Sequence, residues 1–137
     1  KMATGSMVTF IDGRPDKNFY RKFKIKIAGK PDDVAMMGEV LLRRLRHPEW
    51  GFPDLILIDG GRAQLNTACR CLKRKVWVIA LAKKKNELFI ENRRNPILLK
   101  KFPREIFNLI LQLRNEAHRF AIKYHRKLRE VEFRKDM

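Results

Sequence analysis

The first part of the chain alternates apolar and polar residues with a period of two. Phe23, Ile25 and Ile27 are separated by lysines, so Phe19–Ile27 is predicted to be a strand with one basic face in solvent. A shorter apolar segment, Met7–Ile11, comes before it and is also predicted to be a strand. The residues between them include Asp-Gly and proline, which are typical of turns. We therefore expect the two strands to form a hairpin.

Two later segments are apolar without alternation. Leu55–Ile58 and Val76–Ala82 contain no charged residue, which is typical of strands that are buried on both faces. A weaker strand is predicted at Glu87–Ile90.

Helical spacing of apolar residues appears in three other segments. The first follows Asp32 and Asp33, acidic residues that favour a helix start, and ends near Arg46. The second covers residues 64 to about 73, and the third runs from residue 103 to about 133. The apolar stripe of the third comprises Ile110, Leu113, Ala117, Phe120, Ala121, Tyr124, Leu128 and Val131. This order of elements predicts an α/β fold in a single domain.

Charge narrows the choice of function. The chain of 137 residues has 32 Lys+Arg against 15 Asp+Glu, a formal net charge of +17. Such a surplus favours a polyanionic partner, and nucleic acid is the first candidate. An anionic membrane surface is the second, but no segment approaches the roughly 20 apolar residues of a membrane span. The two cysteines, Cys69 and Cys71, lie two residues apart on a predicted helix, so we expect free thiols and a reducing, cytoplasmic location.

Asp59 stands at the end of a predicted buried strand and is followed by Gly60-Gly61. In an open α/β sheet, ligands bind beyond the carboxyl ends of the strands. Glycines there would let a substrate backbone or a metal ion come close. The alternative is a strand-end aspartate that caps the following helix, and spacing alone leaves both interpretations open.

His118 and His125 fall on one edge of the long helix, between its apolar stripe and several arginines. Neighbouring positive charge disfavours imidazolium, and a neutral imidazole suits a general base or a metal ligand. The alternative is two solvated histidines on a basic helix. The basic segments 83–85, 93–94 and 126–129 are open to two interpretations as well, as phosphate contacts or as ordinary solvated residues.

Several segments, in order along the chain, match one known family. They read GSMVTFIDGRP, YRKFKIK, PDDVAMM, PDLILIDGGRAQLN, IALAKK and RNEAHRFAIKYHRKLR. In them the chain resembles the carboxyl-terminal endonuclease domain of UvrC, a component of the bacterial excinuclease UvrABC. The resemblance implies a ribonuclease-H-like mixed sheet with flanking helices and a long carboxyl-terminal helix.

The resemblance also implies an activity and its residues. The family's domain cuts the damaged DNA strand on the 5′ side of a lesion during nucleotide excision repair, with Mg²⁺ or Mn²⁺. Asp59 corresponds to the aspartate of the family's DGG motif and would be a catalytic metal ligand. His118 corresponds to the histidine of its HRFA motif and would be a ligand or transfer a proton. The expected contacts to double-stranded DNA are Lys83, Arg62, Arg119 and Arg126.

The chain departs from the family pattern in three places. The family's other catalytic aspartate lies in a strand upstream of the matching region, so we expect the domain to be incomplete at its amino terminus and to lack the first strand. Asn115 stands where the family usually has aspartate, and Ala63 replaces a usual glycine. We also expect the regions that bind a UvrB-type partner to lie outside this chain. These departures leave two alternatives, a non-catalytic DNA-binding module of the same family and a scaffold domain whose charge serves solubility.

Overall fold

A computed structural model describes residues 4–24 and 33–136. The chain divides into two compact units. Lys1–Lys26 with Leu109–Met137 form one, called the hairpin unit below, and Ile27–Asn108 form the other, called the sheet unit. Two parts of the predicted elements, Ile25–Ile27 and Asp32, lie outside the described residues.

The hairpin unit begins with two short antiparallel ladders. Strand β1 (Thr4–Met7) pairs with β4 (Arg21–Lys24), with Met7 opposite Arg21. Between them, β2 (Phe10–Ile11) pairs with β3 (Arg14–Pro15) across a turn at Asp12-Gly13. The predicted hairpin is confirmed only in part, because Met7 of its first strand pairs with β4 whereas Phe10 and Ile11 pair with β3, a strand that the sequence did not predict.

The sheet unit contains a mixed four-stranded sheet. Helix α1 (Asp33–Leu45) precedes strand β5 (Leu55–Asp59), and helix α2 (Arg62–Cys71) connects β5 to the parallel strand β6 (Trp77–Ala82). Strands β7 (Glu87–Ile90) and β8 (Ile97–Leu98) add on in antiparallel fashion, so the order is β5-β6-β7-β8. Helix α3 (Arg104–Asp136) follows. The predicted α/β class, mixed sheet and long last helix are confirmed.

One face of the sheet carries the core of this unit. Ile58, Val78 and Ala80 pack with residues of α1 and α2, and Leu65 and Ala68 are completely buried there. At Gly38, where α1 packs on α2, a Cβ atom would make an ordinary van der Waals contact with the Sγ of Cys71, at 3.4 Å. Burial of such apolar side chains stabilises the unit by about 25 cal/mol per Å² removed from water.

The prediction that β5 and β6 are buried on both faces is wrong for their first residues. Leu55 is 49% exposed and its neighbour across the parallel pair, Trp77, is 76% exposed. Both lie on the face opposite Ile56 and Ile58, which pack with α1 and α2. In β6 that opposite face is open only at its start, since Leu81, on the same face as Trp77, is 1% exposed. An apolar strand sequence identifies a strand but does not tell which of its faces is covered.

Candidate active site

Asp59 lies where the sequence predicted, at the carboxyl end of β5. It is the last residue of that strand and stands opposite Leu81 of β6. The ladder continues for one more bond, from the Gly60 N–H to the Leu81 carbonyl at 3.0 Å. The Asp59 side chain is exposed. Among residues 4–24 and 33–136, its carboxylate makes no hydrogen bond and no ion pair, so its oxygens are available to a ligand.

The cap of helix α2 is made by other residues. Gly61 is the N-cap, and its N–H donates to Oε1 of Gln64 at 2.9 Å. The Leu65 N–H in turn donates to the Gly61 carbonyl at 3.0 Å. Gln64, at the third helical position, therefore satisfies a backbone donor that the helix start would leave unpaired. The alternative role for Asp59, as the cap of this helix, is not the one that the structure shows.

The two glycines after Asp59 differ in what surrounds them. A Cβ atom on Gly60 would lie 2.5 Å from Cγ of Gln64, and the φ of Gly60 is +154°. The space beside Gly60 is therefore filled by the capping side chain. A Cβ atom on Gly61 would meet only Cε2 of Phe89, at 3.9 Å. Of the two, Gly61 is the one that leaves room beside the strand end.

Arg62 occupies the first turn of α2 and holds a distant loop. Its Nη1 donates to the Ile90 carbonyl at 3.3 Å, and its Nη2 donates to the carbonyls of Arg93 and Arg94 at 2.7 and 3.0 Å. The guanidinium also lies 5.0 Å from the centre of the Phe89 ring. These contacts give Arg62 a structural role after β7, and its contact to DNA stays a prediction.

Lys83 directly follows the last residue of β6 and is exposed, as the sequence indicated. Because β5 and β6 are parallel, Lys83 lies at the same end of the sheet as Asp59. Arg126 is an exposed residue of α3. The contact of both cations to DNA stays a prediction.

His118 lies in the hairpin unit, on α3, and is exposed. On the same stretch of helix, Glu116 accepts two hydrogen bonds from Arg119, from Nε and from Nη2, each at 2.7 Å. The hydroxyl of Tyr20, just before β4, donates to Oε2 of Glu116 at 2.8 Å. A single carboxylate thus joins the strand hairpin to the helix segment that carries His118.

Ring contacts support this attachment. The Tyr20 ring meets the Phe120 ring edge to face, with centroids 5.1 Å apart. The Nζ of Lys22 lies 5.5 Å from the centre of the Phe120 ring and 5.3 Å from that of Tyr124. Both cation–π contacts come from the basic face of β4. The apolar stripe of α3 is therefore covered in part by the hairpin.

Two residues of this network were not identified from the sequence. The sequence pattern places Tyr20 only in a predicted strand and Glu116 only in the long predicted helix. The spacing of Glu116 and Arg119, three residues apart on a helix, was the available signal for an ion pair. No local sequence pattern could indicate the hydrogen bond between Tyr20 and Glu116, because 96 residues separate them.

The network shifts the acidity of both its acidic members. The hydrogen bonds from Arg119, assisted by the one from Tyr20, lower the pKa of Glu116 to about 2. Burial, followed by the hydrogen bond to Glu116, raises the pKa of Tyr20 to about 12. At neutral pH the pair is therefore a carboxylate and a neutral phenol, which is the protonation that the hydrogen bond from Tyr20 requires.

Within residues 4–24 and 33–136, no cluster of three or more His, Cys, Asp or Glu side chains is placed to hold a metal ion.

Both cysteines are free thiols, as expected, and burial raises the pKa of Cys69. In the part of the chain that the structure describes, no helix is long and apolar enough to cross a membrane.

Comparison with known proteins gives one consistent result. A family model described as the UvrC RNase H endonuclease domain matches residues 1–122. UvrABC system protein C of Chlorobium phaeobacteroides is 48% identical over 130 residues, and that of Methanothermobacter thermautotrophicus is 44% identical over 131 residues. These alignments cover 90% and 93% of the chain but only 20% and 22% of the two relatives. The chain thus spans about a fifth of the length of these relatives.

Proposed function

The chain belongs to the UvrC RNase H endonuclease domain family, and from this membership we propose that it hydrolyses a DNA phosphodiester on the 5′ side of a lesion in nucleotide excision repair. One observation carries the proposal beyond the family name. Asp59 ends a strand in a parallel pair, and its exposed carboxylate is not used by the cap of the next helix. An unused carboxylate at this end of a sheet is where ligand chemistry is expected.

We further propose that the reaction depends on Mg²⁺ or Mn²⁺. Hard divalent cations take oxygen ligands, and bound metal supplies a Lewis acid for phosphoryl oxygens. Asp59 provides such oxygen ligands, and His118 is the second candidate metal ligand. A single carboxylate supplies fewer ligands than Mg²⁺ takes, and among residues 4–24 and 33–136 no group of three or more His, Cys, Asp or Glu side chains is placed to hold the ion. Asp59 would therefore be one ligand of a site that other oxygen ligands complete.

The proposed substrate is double-stranded DNA, held through its phosphates. The net charge of +17 supports this, and Lys83 lies at the Asp59 end of the sheet. Arg62, Arg119 and Arg126 are the other candidates. Contacts of this kind give affinity without reading sequence. Selectivity for damage would then come from partners, and we propose a UvrB-type protein as one of them.

A non-catalytic DNA-binding module is the second candidate function. The absence of a cluster of three metal-ligating side chains within the described residues favours it, as does Asn115 in place of the family's aspartate. Such a module would keep the basic surface and retain DNA without cutting it.

Nicking of supercoiled plasmid separates the two candidates. Two proteins are compared, the chain itself and a form extended upstream through the strand that carries the family's other catalytic aspartate. Each is incubated with Mg²⁺, with Mn²⁺ and with EDTA. DNA retention is measured in parallel over a range of salt concentrations. The nuclease proposal predicts nicking with either metal by the extended form at least, and none with EDTA. Salt-sensitive retention by both forms without nicking under any condition would instead establish the binding module.

A further inference from the structure

We propose that Tyr20 and Glu116 are positioning residues that hold the Arg119 guanidinium in place for a phosphate oxygen of DNA. The inference rests on the proposed function, since it assigns a way of binding the same substrate. It concerns residues of the hairpin unit only: Tyr20 before β4, and Glu116 and Arg119 on α3.

The pair between Glu116 and Arg119 has a defined geometry. Nε meets one carboxylate oxygen and Nη2 meets the other, each at 2.7 Å. Two parallel bonds of this kind fix the plane of a guanidinium as well as its position. The side chain of Glu116 is 16% exposed, whereas that of Arg119 is 50% exposed. The carboxylate is thus the covered partner, and the guanidinium is the one that solvent or a ligand can reach.

Tyr20 makes a further hydrogen bond to the Glu116 carboxylate. Its hydroxyl donates to Oε2 at 2.8 Å, so this oxygen accepts from both Tyr20 and Arg119. The Tyr20 ring is itself held against Phe120. Glu116 therefore has a partner on another element, which an ordinary pair three residues apart on one helix does not have. The hydrogen bond from Tyr20 restricts the rotamers of the Glu116 side chain. Because Glu116 binds Arg119, it restricts those of the Arg119 side chain as well.

Arg119 keeps donors for a ligand in this arrangement. Its guanidinium has five N–H donors, and Nη1 has no hydrogen-bond partner within the described part of the chain. Arginine is the residue best suited to bind phosphate through a planar fork. Ordering the side chain before DNA arrives lowers the entropy that binding must overcome. Arg119 directly follows His118, a candidate site residue, in the sequence of α3.

A thermodynamic cycle tests the inference. Tyr20→Phe removes one hydroxyl and keeps the ring, and Arg119→Ala removes the guanidinium. Affinity for a fluorescent, undamaged DNA duplex is measured for wild type, both single variants and the double variant, at several salt concentrations. Thermal unfolding of each variant is recorded alongside. Lys123→Ala serves as the matched control, because Lys123 is an exposed cation on the next turn of α3.

We expect Tyr20→Phe to weaken DNA binding roughly fivefold, as loss of one orienting hydrogen bond would do. In the Arg119→Ala background the same change should have no further effect on affinity. Arg119→Ala should reduce the slope of log affinity against log salt by about one phosphate contact. In the Lys123→Ala background, Tyr20→Phe should keep its full effect.

Equal loss of affinity from Tyr20→Phe in both the wild-type and Arg119→Ala backgrounds would overturn the inference, because Tyr20 would then act only by supporting the fold. Unchanged affinity and salt slope in Arg119→Ala, with normal binding by wild type, would overturn it too and leave the proposed function intact. A wild-type protein that retains no duplex even at low salt would overturn both.

Discussion

Replacement of Gly60 by alanine tests how the turn after Asp59 is built. The new Cβ would lie 2.5, 2.7 and 2.8 Å from Cγ, Cδ and Cβ of Gln64, and the φ of +154° is one that side chains with a Cβ rarely adopt. Backbone strain of this kind costs about 1–3 kcal/mol. Displacement of Gln64 from the Gly61 N–H would cost about 1 kcal/mol more. We therefore expect the free energy of unfolding to fall by about 2–4 kcal/mol.

Gly61→Ala is the matched control, one residue further along. Its Cβ would meet only Phe89, at 3.9 Å, and the φ of Gly61 is −109°. Because alanine is a poorer N-cap than glycine, the free energy of unfolding should fall here, but by no more than about 1 kcal/mol. Urea denaturation of both variants, followed by circular dichroism, measures the two values under the same conditions.

Repeating Gly60→Ala in a Gln64→Ala background tests whether the side-chain atoms of Gln64 cause the loss of stability. In Gln64→Ala the Cγ and Cδ atoms are gone, so Gly60→Ala should cost clearly less there than in wild type. Equal losses in the two backgrounds would refute the steric argument, and so would equal losses for Gly60→Ala and Gly61→Ala. If Gly61→Ala stays folded and retains DNA binding but no longer nicks plasmid, the space beside Gly61 is needed by the substrate.

Three further perturbations have definite expected outcomes. Leu65→Ala, at a completely buried position, should lower the free energy of unfolding in urea by about 2–5 kcal/mol. Arg62→Ala should lower stability by releasing the loop at residues 90–94, whereas an unchanged melting temperature with a smaller salt slope of DNA binding would make Arg62 a phosphate contact instead. The pKa of Glu116 is lowered from 4.5 to about 2, so ionised Glu116 stabilises the fold fully above pH 4.5 and loses this effect as pH falls toward 2. The gap in melting temperature between wild type and Glu116→Gln should therefore narrow over that range, and a gap independent of pH would contradict the assignment.

Local patterns in the sequence were sufficient for most elements of the fold. The apolar segments of β5 and β6, the helical spacing of α3 and the turn at Asp12-Gly13 each depend on neighbours along the chain. The short strand β8 was missed, because two residues are too few to show a period. Burial of the outer face of β5 was predicted wrongly, since coverage depends on where α1 and α2 pack.

Residues of the candidate site could be predicted only where their position at the end of a strand identifies them. Asp59 and Lys83 lie at strand ends that the sequence itself marks. The requirement for glycine at position 60 could not be predicted, because it depends on how far the Gln64 side chain reaches. The partner of Glu116 could not be found either, since Tyr20 approaches it through tertiary packing of the hairpin on α3.

The central claim is that Asp59 provides the carboxylate for phosphodiester hydrolysis, and one comparison tests it most directly. Asp59→Asn and Asp54→Asn are introduced separately into the upstream-extended form, and Mn²⁺-dependent nicking of supercoiled plasmid is measured beside DNA retention. Asp54 is an exposed aspartate just before the same strand, so it matches the change in charge. We predict that Asp59→Asn abolishes nicking while retention persists, and that Asp54→Asn nicks at the wild-type rate. Full nicking by Asp59→Asn would contradict the account.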